Sequence, residues 1–305
     1  MKKTNSFNAI SRPANFAVST CFTLYALVCV LPLLLLIAVS LTSQPDIYAD
    51  GYSFFPRAFT LQAYEFLLKD LQLIGRSYMI TIGVAVCGVV INVMISSMYA
   101  FAISRPEYDL RRLFVTIVVI TMVFSGGIPP LYYMYAGVLK IKNTLLALLL
   151  PGLCNGFYII VMRTFFVQSI PNEIVESARI DGSSETNTFY KIVLPISTPI
   201  LATVAIFTAL FYWNDFFNSM LFIENPKLFN LQYTMQRAIL NLEFIRTQLA
   251  NSSAASQIAV SSARDMPLES VRMAMVVLGI GPIVLVYPFF QRYFVRGLTI
   301  GAVKG

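Results

Sequence analysis

The sequence predicts an all-α integral membrane protein of about six transmembrane helices, with a cytoplasmic helix–turn–helix loop. Three observations lead there. Of 305 residues, 57% are apolar and only 12% charged, where a soluble domain carries about 25% charged residues. The apolar residues are gathered into six long runs, and a helix needs about 20 of them to cross a ~30 Å hydrocarbon core. The remaining charges stand mostly near the ends of those runs, where Lys and Arg set membrane orientation.

The first run, about 16–41, follows Lys2 and Lys3. It is far longer than the ~7–15-residue apolar core of a secretory signal, so it reads as a retained first span after a cytoplasmic segment, 1–15. The other spans fall at about 76–103, 113–135, 144–166, 196–222 and 271–294, and 16–305 reads as one transmembrane domain. Turn chemistry fills the gaps: Ser43-Gln44-Pro45-Asp46, Arg105-Pro106-Glu107, Lys140-Ile141-Lys142 and Pro171-Asn172-Glu173. The third span is interrupted by Gly126, Gly127, Pro129 and Pro130, which break the helical hydrogen-bond ladder. Two readings stay open there: irregular backbone lining a pathway, or a turn into a short outer helix. Residues 223–270 read as a long outer loop, biased in composition only at Asn251–Ser256.

With the N-terminus inside, the inner segments hold 12 basic and 6 acidic residues, and the longer outer ones 10 and 8. That bias places both termini in the cytoplasm.

Several functions are excluded by what is missing. There is no histidine, which removes imidazole metal sites and His-based acid–base catalysis. Cys21, Cys29, Cys87 and Cys154 sit in apolar runs without Cys-x-x-Cys spacing, as buried thiols do. No metal site and no catalytic residue is expected. The net charge of +7 is not gathered into a basic patch with interleaved aromatics, so it does not point to nucleic acid. No Gly-x-x-x-x-Gly-Lys-Ser/Thr phosphate loop occurs, so ATP chemistry of that kind would need another chain. An ion-coupled transporter would show midplane acids or repeats, and a membrane hydrolase a Gly-x-Ser-x-Gly elbow. Neither is present.

Within the spans, the polar candidates for lining a pathway are Asn155, Tyr158 and the segment Tyr212-Trp213-Asn214-Asp215. Counting ~20 residues from Ile196 puts Asp215 at the outer edge of the bilayer. An interfacial anchor and a gate or substrate contact are the two readings for it.

The longest inner loop, 167–195, is patterned throughout. Ser169 is a candidate cap and Pro171 a candidate first helical residue. Ile170, Ile174 and Ala178 recur at i, i+4, i+8 and predict one apolar face. Gly182 follows, where a left-handed residue would stop the helix. A second short helix from about Ser184 would put Phe189, Ile192 and Val193 on one face, before Leu194-Pro195 restarts the chain into the fifth span.

Glu176-Ser177-Ala178, three residues, Gly182, nine residues and Ile192-Val193-Leu194-Pro195 resemble the EAA loop of binding-protein-dependent ABC importers. That pattern is Glu-Ala-Ala, three residues, Gly, nine residues, Ile-x-Leu-Pro. Only Ser177 departs from it. The tail from Gln291 to Gly305, the Trp213-Asn214-Asp215 segment and the Gly127…Pro129 break are similar to carbohydrate-uptake permeases related to the second maltose-transporter permease subunit. The closer likeness is to the branch serving complex and often acidic oligosaccharides.

The resemblance implies a permease subunit of an oligosaccharide importer in the bacterial cytoplasmic (inner) membrane. It implies that Glu176, Ser177, Ala178, Asp181, Gly182, Ile192, Leu194 and Pro195 form the coupling joint to a separate ATPase pair. It also implies that the tail, with Gly297, Gly301, Lys304 and Gly305, approaches that ATPase. ATP and Mg would bind there, and no cofactor to this chain. A second homologous permease and an external sugar-binding protein are the other implied partners. An importer permease for another solute class, peptide or ion, is the alternative, with an ion-coupled secondary transporter behind it.

Overall fold

The computed structural model describes residues 12–251 and 267–302. Among them, helix is the only extended regular element, apart from an isolated bridge between Thr42 and Phe59. Contacts group the chain into two compact units. One runs to Lys69 and includes Asn241–Leu278; the other comprises Asp70–Leu240 and the chain from Gly279 onward.

In the first unit, α1 (Arg12–Ser40) carries Phe16, Phe22, Tyr25, Val28 and Leu31 exposed on every side. A helix apolar all round belongs in lipid or in a large core. Two short helices follow, α2 (Gln44–Asp50) and α3 (Gln62–Leu68). The Ser40 hydroxyl hydrogen-bonds the Tyr64 hydroxyl at 2.9 Å, and buried Gln44 accepts from the Glu269 backbone N–H at 3.1 Å.

The second unit is organised around α4 (Leu71–Ser104), against which α8 (Gly156–Ser169) and α12 (Thr198–Asn214) pack most extensively. Close approach is set by small residues: a Cβ at Gly88 would overlap the Tyr212 ring. Small residues at helix contacts are the usual packing device where lipid supplies no hydrophobic drive. Asn92 on α4 pins three segments together. Its amide donates to Gly152 O at 2.9 Å and Leu153 O at 3.0 Å, while Thr208 donates to its Oδ1 at 3.1 Å. The carbonyls freed where a helix breaks at membrane depth are thereby satisfied, as a low-dielectric setting requires.

By length and composition three described helices can cross a membrane, or six if each bent pair is one span. The bends change the expected elements. The third span is α5 (Arg111–Val123), then a turn with Gly127 at φ 77°, then α6 (Ile128–Tyr132) continuing in a wide turn to Val138. The two parts meet at 115°, a turn leading into a short helix. Alone, 13 residues of α5 rise only about 20 Å. The fourth is α7 (Leu145–Leu149), a tight turn through Gly152, and α8, bent by 44°. The fifth ends at Asn214, and α13 (Phe217–Phe222) follows as a separate helix.

The expected long outer loop is substantially helical. The helix α14 (Leu231–Asn251) is started by Asn230, whose Oδ1 accepts from Tyr233 N at 3.1 Å. Its first turn is fastened to α4 by Leu231 N donating to Thr81 Oγ1 and by the Ser77–Thr234 hydroxyl pair, each at 2.8 Å. The biased stretch after Asn251 lies outside the described residues. The sixth span, α15 (Leu268–Ala302), contains Pro282 and Pro288.

Candidate functional site

The 167–195 loop folds as a helix–turn–helix. Its first helix, α9 (Asn172–Ile180), is preceded by Pro171 with extended backbone (ψ 139°) and no side-chain cap. Ser169 instead closes α8, so the expected Ser169 cap and first-turn Pro171 both shift by one element boundary. The buried stripe also differs from the i, i+4, i+8 pattern. Ile170, Val175 and Ala178 are buried, whereas Ile174 is 38% exposed and Ile180 87%. A helical face is set by what the helix packs against, and here the contact is one residue round from the one that spacing favours.

Gly182 stops α9 at φ 81°. The Gly182 N–H donates to Arg179 O at 3.0 Å and the Ser183 N–H to Ala178 O at 2.9 Å, the paired bonds of a Schellman turn. Across this turn, Arg179 and Glu185 form an ion pair at 2.6 Å. Its hydrogen bond to Glu185, followed by that residue's charge, pushes the Arg179 guanidinium above its ordinary value. The second helix, α10 (Glu185–Thr188), is capped by Ser184, whose Oγ accepts from Asn187 N at 3.3 Å. It continues through a wider turn, Phe189–Val193, into α11 (Leu194–Ile196), and meets α12 at 82°.

The two faces of this loop differ. Val175, Phe189 and Val193 are buried in the same core as Phe101, Ile159, Met162, Phe166 and Ile200. Glu176, Ser177, Asp181, Gly182 and Pro195 are exposed, Ile192 and Leu194 half-buried, and Ala178 buried. The loop is thus anchored by its apolar side and presents the polar half of the motif outward.

A second feature lies at the far end of α12. Phe207, Leu210, Phe211, Asn214, Asp215, Phe216 and Phe217 line an open cavity of about 430 Å³. Asn214 is exposed on its wall. Asp215 Oδ1 accepts from Asn218 N at 3.0 Å, and its backbone carbonyl accepts from Asn230 Nδ2. Tyr212 and Trp213 turn the other way. The Tyr212 hydroxyl donates to Leu149 O at 2.6 Å and the Trp213 indole to Gly279 O at 2.8 Å, both from buried positions. Asn155 caps α8 by accepting from Phe157 N at 2.9 Å, and Tyr158 packs half-buried against the core. So only Asn214 and Asp215 of the six pathway candidates meet at the cavity. In the tail, the backbone is helical through Gly297 and Gly301, while Lys304 and Gly305 lie outside the described residues. Among the described residues no cluster of three or more acidic or cysteine side chains suited to a metal occurs.

Sequence reasoning missed Arg105. It stands in the turn after α4, 6% exposed, its guanidinium carbon 4.8 Å from the centre of the Phe101 ring. The available signal was the spacing of Met94, Met98, Phe101 and Arg105, which places all four on one face of a helix.

Bent, internally hydrogen-bonded apolar helices carrying a helix–turn–helix with one buried and one open face are the marks of a multi-pass membrane protein. The family described as binding-protein-dependent transport system inner membrane component matches residues 110–300, and the chain belongs to that family. It is 31% identical over 282 residues to the polygalacturonan/rhamnogalacturonan transport system permease protein YtcP of Bacillus subtilis, covering 92% of this chain and 95% of that one. It is 28% identical to the arabinooligosaccharides transport system permease protein AraQ of Halalkalibacterium halodurans, with 93% and 94% covered. Among solved structures, a bacterial ABC transporter involved in the import of the acidic polysaccharide alginate contains a chain 27% identical, with a TM-score of 0.77. The match covers 95% of this chain and 100% of that one. The protein is therefore a multi-pass inner-membrane permease and not itself an enzyme. It works with an ATPase, a substrate-binding protein and a second permease.

Proposed function

We propose that this permease admits oligosaccharides to the cytoplasm and that its 172–196 loop is the joint through which ATP-driven motion reaches the spans. The observation that carries the coupling reading is the two-faced loop. Val175, Phe189 and Val193 lock it into the core, and Glu176, Ser177, Asp181 and Gly182 stand on the open side. A rigid surface of this kind suits docking to an ATPase pair, which would hold the ATP and Mg; this chain would bind no cofactor. With that loop inside, both termini are cytoplasmic, and an external sugar-binding protein meets the opposite side. The tail including Gly297 and Gly301 would also approach the ATPase.

The sugar reading is supported by the named substrates of the relatives. It is also supported by the chemistry of the outer cavity, where Phe207, Phe211 and Phe216 offer ring faces and Asn214 an amide. Pyranose rings stack on aromatic faces and bond polar groups at their rims, and ligand cavities commonly pair apolar walls with few polar groups.

The test is uptake into vesicles containing the assembled complex, offered tritiated trigalacturonate, arabinotriose and raffinose with the binding protein and internal ATP. ATP-dependent uptake of at least one is the expected result. Uptake of none, alongside ATP-dependent uptake of a dipeptide or an inorganic ion, would overturn the sugar assignment.

A further inference from the structure

From the packing beneath the inner loop we infer that Arg105 is a positioning residue that, through Phe101, holds the second half of the helix–turn–helix against α4. The inference rests on the proposed coupling role of that loop.

Arg105 ends α4 because Pro106 follows it, and the residue before proline is driven to extended backbone; its ψ is 130°. The side chain folds back over Phe101 as a cation on an aromatic face. That arrangement strengthens when it is desolvated, and Arg105 is almost wholly buried. Its Nε has no hydrogen-bond partner, and the contact that holds the guanidinium is the Phe101 ring face. Burial draws the guanidinium down from its ordinary value, and the charges of Glu107 and Glu185 oppose that. Glu185 is the residue that also pairs with Arg179 across the Gly182 turn.

The aromatic side continues the link. Phe101 and Phe189 have ring centres 5.4 Å apart, and Phe189 and Tyr190 5.1 Å. The Tyr190 hydroxyl lies 3.7 Å from Met94 Sδ and 3.9 Å from Met98 Sδ. Met94, Met98, Phe101 and Arg105 form one stripe of α4, and Phe189 and Tyr190 of the loop's second half close on it. The loop therefore grips the last three turns of α4 by side chains. Toward α12 the chain bends by 82° at Ser197, and Phe189 and Val193 share a buried core with Ile200 and Val204.

The experiment uses the assembled complex in nanodiscs with Arg105→Met, which keeps bulk and removes charge, and Arg105→Lys, which keeps charge. Amide exchange of residues 185–196 should rise at least tenfold in R105M and less than threefold in R105K, with the outer half of α12 unchanged. In vesicles, whichever of the three sugars the wild type moves best should be transported at less than a tenth of the wild-type ratio of sugar to ATP in R105M. R105K should retain at least half of that ratio. A purely structural role would lower the amount of complex and leave the ratio alone. Unchanged exchange in R105M overturns the inference whatever the sugar, as does a wild-type ratio in R105M or an R105K as impaired as R105M. A wild-type complex that moves none of the sugars counts against the substrate reading instead, and the exchange result then decides this inference by itself.

Discussion

Replacing Gly182 isolates the backbone contribution to coupling. The residue sits at φ 81°, and a Cβ built there meets nothing within 4 Å. Any cost of a side chain within this chain is therefore torsional and not steric crowding. For alanine, the left-handed region costs roughly 1–2 kcal/mol. A β-branched residue is a still rarer occupant, with strain at a sparsely populated backbone position of about 1–3 kcal/mol. Each 1.4 kcal/mol is about tenfold in population. Gly182→Ala should thus reduce the closed Schellman turn by roughly five- to thirtyfold relative to open forms, and Gly182→Val by up to about a hundredfold. Asparagine visits the left-handed region more readily, so Gly182→Asn should be mildest. Gly182 itself is exposed and lies between the apolar runs, so membrane insertion should be unchanged. The assay is ATP hydrolysis stimulated by loaded binding protein, at matched amounts of complex, with uptake measured in parallel. The expected order is wild type, Asn, Ala, Val, and Glu176→Ala should be milder than Gly182→Val because it leaves the backbone alone. If Gly182→Val works normally, or Asn is as damaging as Val, the turn's backbone conformation is not what the ATPase reads.

Three further outcomes are expected. In a cysteine-free background, a membrane-impermeant maleimide added to intact cells should label Lys227→Cys and not Asp181→Cys, both exposed positions; the reverse pattern would invert the topology. The purified chain should hydrolyse no ATP alone and should support hydrolysis once assembled with its ATPase, and sustained turnover by the isolated chain would contradict the subunit assignment. Asn92→Leu should destabilise the detergent-solubilised chain by about 1–3 kcal/mol, because Gly152 O, Leu153 O and Thr208 lose a buried partner. Adding Thr208→Val should then cost less than the sum of the single changes, and strict additivity would show that the two side chains do not share a network.

Sequence alone was enough to place six apolar runs in a bilayer, because spanning length is a property of composition along one segment. The turn at Gly182 was legible for a similar reason. Gly182 and the residues before it encode a local Schellman turn whose bonds join groups five residues apart or fewer. Features that depend on which helices meet were not legible. In lipid, the packed face and the free face of a helix are equally apolar, so the sequence around Tyr212 could not say that this ring turns inward to Leu149 O while Asn214 faces the cavity. On α9 the apolar Ile174 and Val175 stand side by side, so spacing alone could not say which of them packs. The 115° break after α5 was announced by glycines and prolines, but its angle comes from where α6 finds contacts. The helix α14 escaped notice because its start is fixed by Thr81 and Ser77, about 150 residues away. Arg105 read as an ordinary turn residue until the tertiary structure showed it buried over Phe101, whose ring packs on Phe189 of the loop, since burial of a charge is decided by neighbours that no local pattern names.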